Sequence, residues 1–290
     1  MKPLWWYKYK KLIYLGEIQK AKDLLLKKIP EGTVIYKYCR GINRDWKMAI
    51  KPELWLCQAG KFNDPFDCAF LYNCRSKEIY DRKTEYELAV KESMAQFEQD
   101  KKSKSLQESV FISCFSEKCD SMLMWSHYSD EHKGLCLGFD LKSLIQKYDF
   151  FPVIYSNRMP KVKNADIDNK SALLKSILTK SKEWSYEQEW RIIEINKDIA
   201  GTAGKKIPFE KPIEIYMGKR QEDGIRVNNE KRRAIRKRNP SAKEVDISQS
   251  DDFYVDINWI IYYVKQEKIK LFDFELSRKD FRLSRCTYRV

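Results

Sequence analysis

Met124-Trp125-Ser126-His127-Tyr128-Ser129-Asp130-Glu131-His132-Lys133-Gly134 is the stretch on which the reading of this chain turns. It holds both histidines of the protein, five residues apart. The apolar run Ser109-Val110-Phe111-Ile112-Ser113-Cys114-Phe115-Ser116 precedes it, and Gly134-Leu135-Cys136-Leu137-Gly138-Phe139-Asp140 follows. Both runs have the length and the β-branched and aromatic content of strands. A strand, a short aromatic-rich helix or loop, and a second strand would gather the polar groups between them at one strand-end edge. Binding and catalytic side chains concentrate at such edges of a rigid scaffold. Imidazole is also the side chain best suited to proton transfer near neutral pH, so His127 and His132 are candidate site residues. The plainer alternative makes Trp125 and Tyr128 packing residues and leaves the histidines bonded to their neighbours.

Outward from this centre the pattern mixes strands and helices without regular alternation. Residues 18, 21, 24, 25 and 29 carry a helical spacing that Pro30-Glu31-Gly32 ends, so residues 1–32 are expected to be a helical appendage. Residues 33–290 are then one α+β domain. Thr33 to Tyr38 reads as its first strand, and Trp46 to Leu56 as a short helix and a second strand. Lys61-Phe62-Asn63-Asp64-Pro65-Phe66-Asp67 reads as a turn held by side-chain to backbone bonds. Glu78 to Asp100 is expected as a surface helix, Lys101 to Ser105 as a solvated loop, Val153 to Tyr155 as a strand, and Ala172 to Lys182 as a helix. Further strands are expected at 213–217, 259–264 and 268–274, together making a mixed, mainly antiparallel twisted sheet flanked by helices.

The composition marks a globular, basic chain: 43% hydrophobic residues, 34% charged, and 17 Tyr, 14 Phe and 8 Trp among 290 residues. A disordered segment is poor in such residues. The net charge of +14 favours polyanionic partners, whose phosphates add affinity through counterion release. There is no apolar run of about 18 residues to span a bilayer, and the start lacks the pattern of a signal peptide, so cytoplasmic residence is expected. Eight cysteines with no Cys-x-x-Cys read as reduced, buried thiols. Cys114, Cys119, His127 and His132 form a nominal zinc ligand set, but the pairs lie closer than in zinc fingers and Cys114 sits in a strand pattern, so no metal is expected.

Lys219 to Pro240 carries nine Lys or Arg against three Asp or Glu. At its centre Lys231, Arg232, Arg233, Arg236, Lys237 and Arg238 fall within eight positions. Such a segment is either a solvated helix or a contact for nucleic acid.

Glu187-Gln188-Glu189 is the second constellation. If the stretch is extended, Glu187, Glu189 and Arg191 share one face. Two carboxylates so placed can orient a hydroxyl, stabilise a developing cation, and push each other's pKa values apart. Cross-strand ion pairing on a surface strand is the structural alternative. Neither Gly-rich phosphate loop is present, nor is a Gly-x-Ser-x-Gly nucleophile elbow.

Four segments together resemble an uncharacterised bacterial family catalogued as a domain of unknown function, some members of which are associated with abortive-infection phage defence. They are Ile35-Tyr36-Lys37-Tyr38, Lys61 to Asp67, Cys114-Phe115-Ser116-Glu117 with Met124 to Gly134, and Trp184-Ser185-Tyr186-Glu187-Gln188-Glu189-Trp190-Arg191. A second resemblance is to ADP-ribosyltransferases, which place an Arg or His on a first core strand, serines on a second, and a Glu-x-Glu or single Glu on a third. Here Tyr36-Lys37-Tyr38 with Arg40, Ser113 to Ser116, and Glu187 with Glu189 follow in that order, with Lys37 where Arg or His is expected. The resemblance implies a defence or toxin-like effector that uses NAD to modify nucleic acid or a nucleic-acid-associated target. Glu189 would hold a ribose hydroxyl, Glu187 would activate the acceptor, and His127 would lie at the pocket. Tyr36, Lys37, Ser116, Trp125 and His132 would line the cofactor side, Tyr36 or Trp125 stacking on nicotinamide. A neutralising or sensing partner protein fits such an effector. The rival readings are a nuclease with His127 and His132 as acid and base, and a non-enzymatic nucleic-acid-binding module.

Overall fold

The computed structural model of the protein describes residues 3–73, 85–163, 170–238 and 250–288. In chain order, helices Leu4–Tyr14 (α1) and Ile18–Lys28 (α2) lead into Val34–Cys39 (β1), Asn43–Ile50 (α3), Glu53–Gln58 (β2) and Leu71–Asn73 (β3). Next come Glu85–Ser109 (α4), Val110–Ser116 (β4), Met122–Tyr128 (α5), Leu135–Asp140 (β5), Leu141–Lys147 (α6) and Phe150–Pro152 (β6). Ile154–Ser156 (β7), Lys161–Lys163 (β8), Lys170–Ile177 (α7), Thr179–Ser181 (β9), Glu189–Ile195 (β10) and Gly204–Pro208 (β11) follow. The chain ends with Glu214–Met217 (β12), Gln221–Arg238 (α8), Ile257–Glu267 (α9), Lys270–Leu276 (β13) and Leu283–Thr287 (β14).

Ten strands form one mixed sheet in the order β11-β2-β4-β1-β5-β12-β13-β14, with β10 along β4 and β6 beyond β10. Every neighbouring pair in it is antiparallel except β12 and β13. The architecture is therefore α+β with a mainly antiparallel sheet, as the mixed pattern implied. β4 and β5 are buried nearly throughout, because helices and loops cover both faces. Two short parallel pairs, β3 with β8 and β7 with β9, sit outside the main sheet. No described helix is long and apolar enough to cross a membrane.

The histidine stretch forms α5, capped by Ser121 whose hydroxyl accepts from the Met124 amide. It then turns through Asp130, Glu131 and His132, all at positive φ, a conformation that costs an L residue about 1–2 kcal/mol. The turn is held down by close backbone contact. The Arg220 amide donates to the His132 carbonyl at 2.9 Å, and a Cβ on Gly218 would meet that carbonyl at 2.1 Å.

Three expected elements are corrected, the first being the helix at 172–182, which ends at Ile177 and gives way to β9. Lys101 to Ser105 is not a loop but continues α4, whose last turns are anchored by buried Leu106; Lys is a good helix former. The first residues of the expected helix at 78–100 lie outside the described residues. Trp259 to Val264 is helical, not a strand. Asp256 caps α9 through the Asn258 amide, and Ile260 and Val264, four apart, are buried while Trp259 and Tyr262 stay exposed. Burial at helical period overrode β-propensity there. The N-terminal segment forms two helices, which supply Tyr9, Ile13, Ala21 and Leu25 to the main core. The Tyr9 hydroxyl donates to the Pro152 carbonyl at 2.8 Å.

Ile13→Ala and Leu25→Ala are each expected to lower stability by about 2–5 kcal/mol, read as a shift of the urea midpoint. Shifts equivalent to less than about 0.5 kcal/mol, typical of surface positions, would mean that these helices are not part of the core.

Candidate active site

The site lies where β4 changes partner. One edge of β4 runs along β10 from Ser116↔Glu189 to Val110↔Ile195. On the other edge β1 meets β4 only at Tyr36↔Ser116, and β2 meets it only at Ile112↔Cys57 and Phe111↔Gln58. Between them Ser113, Cys114 and Phe115 have no strand partner on that side among the described residues. The gap opens into a cleft of about 230 Å³ whose walls include Tyr36, Lys37, Trp55, Tyr128, Glu187 and Glu189. Lys37 reaches into it. Its ammonium donates to Ser113 Oγ at 2.8 Å and to the Cys114 carbonyl at 3.2 Å, over the Phe115 ring. Burial pushes this ammonium below the ordinary lysine pKa, and no described carboxylate forms an ion pair with it.

On the other side of the cleft is a buried ion cluster. Arg191, on the same face of β10 as Glu189, has no exposed surface. Its Nη1 and Nη2 donate to the two oxygens of Asp67 at 2.6 and 2.8 Å, its Nε donates to Glu189 Oε1 at 2.7 Å, and Nη1 also donates to the Ile177 carbonyl at 2.6 Å. Lys180, in β9, donates to Glu187 Oε2 at 2.6 Å and to Glu189 Oε2 at 2.9 Å. The Tyr128 hydroxyl donates to Glu187 Oε1 at 2.6 Å, and Ser116 Oγ donates to the Glu187 carbonyl at 2.6 Å. The Tyr155 hydroxyl accepts from the Glu189 amide at 2.8 Å.

These contacts set the two carboxylates apart. Burial raises Glu187 above the ordinary carboxylate value, and the charge of Glu189 adds to this although Lys180 opposes it. Burial would also raise Glu189, but Arg191 and Lys180 outweigh it and hold the group at about 2. Burial would lower Lys180, but Glu189 and Glu187 raise it above the ordinary lysine value. Glu189 is thus a fixed anion and Lys180 a fixed cation, while Glu187 is the member whose charge can change. Glu187 also has more accepting capacity left, since Glu189 already takes three donors of the roughly four a carboxylate accepts.

The residues singled out from sequence divide in two. Tyr36, Lys37, Ser116, Glu187 and Glu189 all line the cleft. Glu187 does not share the strand with Glu189, as an extended reading required. It ends a 3-10 turn over Lys182–Glu187, and Gln188 between them is left-handed at φ 45°, yet Lys180 joins the two side chains. His127 is exposed, with Nδ1 at 3.2 Å from the Tyr186 hydroxyl, and lines a shallower hollow beside the cleft. His132 is stacked beside Trp125, with Nε2 at 3.2 Å from Ser126 Oγ. Trp125 is fully buried, its indole N–H donating to the Cys119 carbonyl at 2.7 Å, so it does not reach the cleft. No cavity among those described is lined by both histidines. Among the described residues no three or more His, Cys, Asp or Glu side chains are grouped to hold a metal ion. Lys231, Arg232, Arg233, Arg236, Lys237 and Arg238 lie on α8, the last four exposed. Residues 239 and 240 of the basic segment lie outside the described residues.

Asp67, Lys180, Tyr128 and Trp55 are site residues that sequence reading passed over. Asp67 and Arg191 are 124 residues apart, and only the fold pairs them. Lys180 carried no signal beyond being a lysine in an apolar stretch.

Residues 124–192 match the model of a family described as a protein of unknown function (DUF2971). The matched stretch contains Tyr128, Lys180, Glu187, Glu189 and Arg191, and leaves out the cleft walls from β1 and β2. No curated protein and no solved structure matches the chain significantly.

Arg191→Met removes the partner of Asp67 and Glu189 and is expected to cost about 3–5 kcal/mol at neutral pH. Because the folded value of Glu189, about 2, lies below the ordinary 4.5, its contribution to stability is present above pH 4.5 and fades as pH falls toward 2. Glu189→Gln should flatten the acid limb of stability over that window. Superimposable acid limbs in urea titrations of the two proteins would contradict the pairing.

Proposed function

We propose that the cleft is that of an ADP-ribosyltransferase-like enzyme, which takes NAD and transfers its ADP-ribose to nucleic acid or to a nucleic-acid-associated target. The observation that carries this reading is a register. Tyr36 pairs with Ser116 and Ser116 pairs with Glu189, so aromatic, serine and glutamate stand in one row across three adjacent strands. The three strands lie side by side in the order in which the resemblance takes them, although its first-strand residue is Arg or His and not an aromatic. The cleft opens beside the row and has a cation, Lys37, at the position where such enzymes use Arg or His.

The chemistry follows from the charges. Breaking the bond between C1′ of the nicotinamide ribose and the ring nitrogen sends the bonding pair to nicotinamide and leaves positive charge on the ribose. Glu189, fixed as an anion, stabilises that charge by preorganised electrostatics. Asp67, Glu187 and Glu189 against Lys180 and Arg191 give the cluster one net negative charge once Glu187 ionises. The acceptor forms the new bond to C1′ and gives up its proton to Glu187, whose raised pKa brings it nearer the pH at which a base works best. Tyr36, half-buried and edge-on to Tyr216 at 5.6 Å, offers a ring for nicotinamide, and Lys37 an ammonium for a phosphate. This assigns the proton to Glu187 and the electrostatic role to Glu189. An effector role in phage defence rests on the family resemblance alone, and protection of phage-challenged cells expressing the chain, lost in Glu187→Gln, is its measure.

Purified protein incubated with NAD labelled in its ADP-ribose part, RNA, DNA and cell extract is expected to label a macromolecule and release nicotinamide. Glu187→Gln should slow transfer about 10²–10⁴-fold, the range for removing a general base, and abolish the rise of rate with pH. Release of no nicotinamide and labelling of no acceptor would overturn the proposal.

A further inference from the structure

The cleft continues beyond Trp55. This residue of β2 lines both the cleft and a second hollow of about 490 Å³, walled by the cations Arg44, Lys47, Lys51 and Lys206 against two carboxylates, Glu53 and Asp251. Lys206 pairs with Glu53 at 3.0 Å and Lys47 with Asp251 at 2.9 Å, whereas Arg44 pairs at 2.9 Å with Asp45, which is buried. The Lys206 pair, exposed on both sides, is worth little to the fold, so that cation can turn to a phosphate at small cost. Lys51 has no ion pair among the described residues. Trp55 is 37% exposed, and its indole rests on β11, where a Cβ on Gly204 would come within 2.5 Å of ring atom Cζ2. It is a supported aromatic platform with solvent on part of its surface.

The far wall of the hollow leads to the basic helix. The Arg44 amide donates to the Asp251 carbonyl at 3.2 Å. Lys231, on α8, donates to the Asp252 carbonyl at 2.6 Å and lies over the Phe253 ring. Cations therefore follow one another from Lys37 in the cleft, past Trp55, through the hollow, to Lys231 and the exposed arginines of α8. A lone anion needs none of this length, and a duplex offers no free base face to an indole. Phosphates along a flexible chain with unstacked bases between them match both features.

We propose that this path seats a single-stranded nucleic acid, with one base stacked on Trp55, and leads its nucleotides to the mouth of the cleft. Only the use made of the strand in the cleft rests on the transferase reading, because seating it requires no NAD. The hollow beside Trp55 is then the primary binding region, and Arg233, Arg236, Lys237 and Arg238 supply the outer, sequence-independent attraction.

The test is a polarisation titration of the full chain with fluorescent oligothymidylate and oligouridylate, without NAD. Trp55→Ala should weaken binding about 5- to 150-fold, the range for removing one stacking partner, while Trp55→Phe retains most of it. The double variant Lys51→Glu, Lys206→Glu should lower the salt slope by about 0.7 for each phosphate that no longer meets a cation. Urea midpoints near wild type for the double variant show that the fold is kept. Wild-type affinity in both groove variants, weakening only in Arg236→Glu, Lys237→Glu, or equal affinity for duplex of the same length would each overturn the path. Failure of label transfer from NAD with groove-dependent binding intact would sink the transferase reading and leave the path standing. Transfer intact with groove-independent binding would do the reverse.

Discussion

A guanidinium with no access to water has to find its partners inside the protein, and most of the site follows from how Arg191 does so. Its donors reach Asp67 from the turn after β2, Glu189 from its own strand, and the Ile177 carbonyl at the end of α7. One planar group thus fixes three segments, of which the Asp67 turn lies 124 residues away in sequence. Removing one partner of such a cluster leaves a buried charge uncompensated, which is far more damaging than never having had the pair. Lys180 extends the constraint, because meeting Glu189 from β9 also brings it to Glu187. The two carboxylates become neighbours although a left-handed residue separates them in the chain.

That cluster explains why the cleft carries carboxylates on one side only. Toward β10 the cleft meets a network in which each carboxylate accepts from a cation. Toward β1 it meets Lys37, whose partners are a hydroxyl and a carbonyl. Two lysines thus face one space in opposite settings. Lys180 is locked as a cation by carboxylates, and Lys37 forms no ion pair among the described residues. An anionic group entering the cleft gains at Lys37 and has little to gain at Lys180, which would orient the proposed substrate by its phosphate. The interruption of β4 pairing at Ser113 to Phe115 makes room for this, since a continuous β1–β4–β2 ladder would close the gap.

Much of the fold was legible in the sequence. The strands at 34–39, 110–116, 135–140 and 214–217 stand out because they are short, apolar and bounded by turns, and α5 because its aromatics lie between two such runs. Trp259 to Val264 misled because its Ile, Tyr and Val content is strand-like, and only the burial of Ile260 and Val264 on one helical face decides it. In the site, the row of Tyr36, Ser116 and Glu189 could be named by residue type, but its alignment depends on the registers of two strand pairs. The histidines drew attention by chemistry and rarity. Yet Trp125 turns inward beside His132, and the side chain of α5 that meets Glu187 is Tyr128. Asp67 was read as part of a turn, which it is, since Asp64 makes that turn through the Phe66 amide; its grip on Arg191 is a property of the fold alone.

The central claim is electrostatic: the cluster holds Glu189 ionised far into acid and keeps Glu187 as the group that takes and gives a proton. Carbon-13 NMR titration of glutamate side-chain carboxyls, assigned with Glu187→Gln and Glu189→Gln, tests it without assuming a substrate. The account predicts that Glu187 titrates above the ordinary 4.5 and that Glu189 does not titrate until about 2. Both groups titrating near the ordinary value, or the two in reversed order, would contradict it.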